Sequence, residues 1–135
     1  MSVSTDQLDQ LERTLESGEV SDVLGAVWNV LDLAGQAADL AAWATGYDEL
    51  RALAAAQSCT QARSLLPLPS GSPVGEPADL SPEAWERYVS LLRKAHGALT
   101  ALLREVEGSD DGGQLQLAAG HLSDAAEALA SVRSV

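Results

Sequence analysis

Two runs of apolar residues, spaced alternately by three and four, constrain this chain more than any other feature. Trp85, Tyr88, Leu92, Ala95, Leu99, Leu102 and Val106 form the first. Leu115, Ala118, Leu122, Ala125, Leu129 and Val132 form the second. An α-helix turns once every ~3.6 residues, so each run lines one helical face. Such a face must be buried against another element. The expected fold class is therefore all-α: an antiparallel four-helix bundle with a short extra N-terminal helix.

Composition agrees with that expectation. Ala and Leu supply 45 of the 135 residues, while Phe and Ile are absent. Ala and Leu are strong helix formers, and the residues that favour strands are scarce. The seven Arg against one Lys, with abundant Ala, suggest a bacterial genome of high GC content. The length suits a single domain with one core.

The pattern along the chain predicts five helices. The first covers Ser4–Ser17, with a stripe of Leu8, Leu11 and Leu15. Ser4 and Gln7 fit a capping box, and Gly18 suits the position after the last turn. Ser21 is the expected cap of a second helix running to about Ala44. Its stripe is Val20, Leu24, Val27, Leu31, Ala34, Ala38 and Ala41, widened by Val23, Val30, Leu33, Ala37 and Leu40. A helix this apolar is surrounded on most sides or takes part in a homodimer. After Thr45-Gly46, a third helix is expected from Tyr47 to Leu66. Ala52, Ala55, Cys59, Ala62 and Leu66 form its seam, supported by Leu50, Leu53 and Ala56.

All five prolines lie between residues 67 and 82. Proline lacks the amide donor and disrupts helices, so 67–81 reads as a connector. The expected organisation is one domain, with a helical hairpin at 21–66, this connector, and a second hairpin at 82–134. Ser81-Pro82 starts the fourth helix as cap and first residue. Gly108 ends it, and Asp111 with Gln114 opens the fifth.

The net charge is −12, and residues 1–47 hold eight acids against one base, which places −7 of it there. Negative charge repels phosphate backbones and anionic lipid, so neither nucleic acid nor membrane is an expected partner. A basic protein is the electrostatically matched partner. The stretch Val23–Ala44 approaches the length of a membrane span. It contains Asn29, Asp32, Gln36 and Asp39, which disfavour exposure to lipid. The polar start, Met-Ser-Val-Ser-Thr-Asp, lacks the charged and apolar regions of a secretory signal, so a cytoplasmic location is expected.

No motif for catalysis stands out, so no enzymatic activity, cofactor or metal is expected. His96 lies beside Arg93 and Lys94, which repel cations, and neither histidine sits in a Glu-X-X-His pair. Cys59 falls on an apolar seam, where cysteine acts as a small hydrophobe. Asp32 and Asp39 are two turns apart on one helix, ~10.5 Å, too far to share a proton. With Asn29 and Gln36 they form a polar row that Trp43 extends. The expected site is therefore a partner-binding face of Asp32, Asp39, Trp43 and Tyr47, with aromatic anchors flanked by acids. Arg87, Arg93, Lys94 and Arg104 find their simplest use in pairing with the acidic helices.

The functional expectation is a small acidic cytoplasmic interaction module that binds a more basic protein, of immunity, antitoxin, chaperone or adaptor type. The alternatives are a small-molecule sensor with a site beside Asp32 and Asp39, or an accessory subunit of an enzyme.

Overall fold

A computed structural model describes residues 5–17, 19–44, 47–66, 82–105 and 112–132. Among them the fold is all-helical: α1 (Thr5–Leu15), α2 (Val20–Ala42), α3 (Glu49–Ser64), α4 (Pro82–Glu105) and α5 (Gly112–Ser131). The expected connector 67–81, the Gly18 and Gly108 stops, and the caps Ser4, Ser81 and Asp111 lie outside the described residues.

The four longer helices pack as a ring. Helix α2 lies against α3 and α4, and α5 completes the ring by packing on both of those. Helix α1 sits outside, against α2 and α4. Each helix turns its predicted seam inward. Trp85, Tyr88, Leu92, Ala95, Leu99 and Leu102 of α4 are buried, as are Leu115, Ala118, Leu122, Ala125, Leu129 and the adjacent Val132 of α5. Val27, Leu31, Ala34, Ala38 and Ala41 of α2 join them, with Ala52, Ala55, Cys59 and Ala62 of α3. No described residue of the core is polar or charged. Burial of apolar area therefore supplies the main driving force, at roughly 1.5–3 kcal/mol for each fully buried large side chain.

Three local expectations differ from the structure. Ser21 is not a cap: α2 begins at Val20, with Glu19 as its extended N-cap, and no side chain bonds the first turn. Acids at Glu19 and Asp22 instead place negative charge near the helix's positive end. Val20 and Leu40, near the two ends of α2, are exposed on a face turned away from the neighbours that bury Val23, Ala38 and Ala41. Leu50 and Leu53 also face outward, leaving α3 to bury mainly alanines.

Small residues permit close approach between α2 and α3. A β-carbon placed on Gly35 would lie 3.4 Å from Cβ of Cys59. The Cys59 thiol is buried there, and the loss of hydration pushes its pKa up to about 12.

Candidate functional site

The end of the molecule where α2 passes to α3 is held by a chain of specific contacts. Asp48 caps α3, its Oδ1 accepting from Arg51 N at 3.1 Å. Its own backbone N–H donates to Val132 O at 2.7 Å, tying the start of α3 to the end of α5. Arg51 also reaches Ser131 O at 3.4 Å. Tyr47 packs on Trp85 with ring centroids 5.2 Å apart, and the Trp85 indole N–H donates to Leu129 O at 2.8 Å. Trp85 meets Tyr88 edge-on at 6.5 Å. A buried indole needs such an acceptor, and Leu129 supplies it from within the bundle.

This anchored corner presents Trp43 to solvent. Trp43 follows the last turn of α2, its backbone N–H donating to Leu40 O at 3.2 Å. Its side chain is left 86% exposed. Leu40, 51% exposed, precedes it by three residues on the same face of α2. Leu50, 78% exposed, opens α3 a few residues further on. The acids Asp39 and Glu49 flank these residues in sequence and are also exposed. No ion pair engages either acid among the described residues.

The four residues expected to form a partner-binding face therefore divide. Asp39 and Trp43 stand free at the surface. Asp32 lies in the α2–α3 seam, where Arg63 donates to its Oδ1 at 2.5 Å and Gln36 to its Oδ2 at 3.2 Å. The Arg63 guanidinium also lies over the Trp28 ring, 5.2 Å from its centroid. Asp32 thus forms an intramolecular clasp rather than the solvated edge of α2. Tyr47 is turned onto Trp85 and half-buried. Asn29, in the same row, has a buried Oδ1 without a hydrogen-bond partner.

Two further features were not legible in the polar row. An open groove of about 770 Å³ runs along α4, lined by Trp85, Glu86, Val89, Ser90, Arg93, Lys94 and Ala130. Its lining does not include Asp32 or Asp39. Of the four α4 bases expected to pair with acidic helices, two do so, both with α1: Arg87 bonds Asp9 and Glu12, and Lys94 bonds Glu12, while no ion pair of Arg93 or Arg104 is found among the described residues. Among the described residues no cluster of three metal-ligating side chains exists, and no helix is long and apolar enough to cross a membrane.

No family model, no curated protein and no solved structure matches this chain.

Proposed function

We propose that this chain is a non-enzymatic interaction module that binds a basic protein through the α2–α3 corner. The observation that carries the reading is the 86% exposure of Trp43 on an otherwise anchored segment. Exposing an indole to water forgoes the burial that drives folding, and partner interfaces use such rings as anchors. Leu40 and Leu50 add apolar area beside it, and Asp39 and Glu49 supply a negative rim. The rim matches a basic partner and speeds encounter at low salt. A cytoplasmic location suits such an adaptor-like role.

The scaffold in this reading is an antiparallel four-helix bundle. Its support is the pairing of Asp32 with Arg63 and of Gly35 with Cys59, together with Asp48 to Val132 and Trp85 to Leu129. Along α2 and α3 the partners run in opposite directions, from Asp32 with Arg63 to Gly35 with Cys59, and in the other two pairs the start of one helix meets the end of α5.

The test is affinity capture from a lysate of the source organism with the intact chain and two variants, Trp43→Ala and Asp39→Asn/Glu49→Gln, at low and high salt. The same basic protein should be held by the intact chain and released by salt. Loss of an anchoring ring costs at least about 2 kcal/mol, so Trp43→Ala should weaken binding roughly 30-fold. The acid variant should slow association and flatten the salt dependence. Capture that ignores salt and both variants would remove this corner from consideration.

A further inference from the structure

Helix α1 is held differently from the rest of the molecule. Its apolar stripe, Leu8, Leu11 and Leu15, is buried. Its ion pairs among the described residues are all with α4. Arg87 Nη2 donates to Asp9 Oδ1 and, at 3.1 Å, to Glu12 Oε2, while Lys94 Nζ donates to Glu12 Oε1. Among the described residues no backbone hydrogen bond joins α1 to another helix. The contrast is with α3 and α5, joined by Asp48 N and Val132 O.

Taken alone, α1 is an acidic amphipathic helix with leucines on one stripe and Asp9 and Glu12 three apart beside it. Its receptor is the groove between α2 and α4, edged by Arg87 and Lys94. Those two cations are seven residues apart on one helix, ~10.5 Å along its axis. This is the arrangement by which a groove recognises a separate helical ligand, here satisfied within one chain. Arg87 Nε remains buried without an acceptor among the described residues. The link to α2 is only residues 16–19.

We propose that the α2–α4 groove is an exchangeable helix-binding site, and that its occupant in trans is the α1 of a second copy of this chain. Complementarity in trans is the same as in cis, because ligand and groove are the same residues. Reciprocal exchange keeps both salt-bridged contacts and changes only the path of the link, which is the low-cost route to a dimer. The intramolecular ligand has the advantage of effective concentration, in the millimolar range for short links. Exchange therefore gains ground as the protein becomes concentrated. This surface is separate from the Trp43 corner and does not depend on what that corner binds.

The experiment uses two full-length variants. One carries Arg87→Glu/Lys94→Glu, which leaves an acidic α1 facing an acidic groove. The other carries Asp9→Lys/Glu12→Lys, which leaves a basic α1 facing a basic groove. Alone, each should melt below the unmodified chain. Mixed in equal amounts, each α1 finds a matching groove only on the other molecule. Light scattering should then give twice the 14.0 kDa chain mass, and melting should return toward the unmodified value. A chain carrying all four substitutions restores the match in cis and should melt near the unmodified protein as a monomer. A mixture that stays monomeric while the four-substitution chain recovers would overturn the exchange. Failure of the four-substitution chain to recover would overturn the charge-held groove itself. Should either pair of substitutions unfold more than α1, donor- and acceptor-labelled unmodified chains refolded together at high concentration give the answer. Energy transfer that survives dilution supports exchange, and its absence overturns it.

Discussion

The α4–α5 and α2–α3 pairs close the same ring with opposite materials. On α4 and α5 the buried positions are Leu91, Leu92, Leu99, Leu102, Leu115, Leu122 and Leu129, with alanines between them. On α3 they are Ala52, Ala55, Ala56, Cys59 and Ala62. The first pair fills its seam with large side chains. The second is close enough that a β-carbon added at Gly35 would meet the Cβ of Cys59 at 3.4 Å. Large side chains make a seam that is vulnerable to removal of volume; small ones make a seam that is vulnerable to addition. The α2–α3 seam compensates for its thin apolar content with a clasp at its edge, where Asp32, Arg63, Gln36 and Trp28 meet.

The largest expected effect uses Cys59 as a probe of the tight seam. Burial raises the thiol from 9.0 to about 12, which cuts its thiolate fraction near neutral pH about 1000-fold. Alkylation of the native chain should be slower than that of the unfolded chain by at least that factor, since reagent access is blocked as well. Comparable rates in the two states would show that the α2–α3 seam is open.

The next effect belongs to the leucine seam. Leu99→Ala and Leu92→Ala each remove a buried side chain that is at most 1% exposed. Each should cost about 2–5 kcal/mol in denaturant unfolding, the usual loss for such truncations. Unchanged stability in both would mean that α4 does not carry the core.

These seams were legible because a buried helical face leaves a local signature, readable from residues three and four apart. The α4 and α5 stripes and the α1 leucines follow from that signature, and their described positions are buried; Val106 lies outside the described residues. Leu50 and Leu53 were misplaced because hydrophobicity ranks them above alanine, whereas the narrow gap beside α2 admits only alanine. The Asp32 clasp joins residues 31 apart in sequence, and the Arg87 contacts with α1 span 75 to 78. Nothing local marks a particular partner at that distance. The polar row of α2 was visible, but which acids stay in water depends on where Arg63 lands. Trp43 and Asp39 were picked from the same row, and the capped end of α2 leaves both exposed.

The small-residue seam makes the converse prediction. Ala55→Leu adds three carbons at a position that is fully buried, so neighbours must move. Overpacking of this kind costs about 1–3 kcal/mol. Gly35→Ala is the sharper comparison. Its new methyl would sit 3.4 Å from Cβ of Cys59, an ordinary contact at its tight end, while helix propensity favours alanine by roughly 0.5–1 kcal/mol. The variant should therefore be neutral to slightly stabilised. A loss of several kcal/mol for Gly35→Ala would mean the helices are closer than this geometry, and a harmless Ala55→Leu would mean they are farther apart.

The smallest effect concerns α1, which neither seam holds. The hydrogen bond from Lys94 keeps the Glu12 carboxyl below its ordinary value of 4.5, with the charges of Lys94 and Arg87 adding to it. Partial burial and the neighbouring Asp9 act in the opposite direction. Protonating Glu12 removes the negative charge that Lys94 and Arg87 bond, so its titration loosens the pairing. A carboxylate with a depressed folded-state pKa stabilises the fold above its ordinary value, and that contribution is lost as pH falls through the depressed value. The pairs are partly exposed, so their contribution is about 1 kcal/mol or less and shrinks with salt. Melting curves of the intact chain and Glu12→Gln should therefore differ by a few degrees near neutral pH and converge once the pH falls below the depressed Glu12 value. The same convergence should appear at neutral pH in high salt. A difference that persists at both extremes would assign Glu12 a packing role beside the buried leucines of α1.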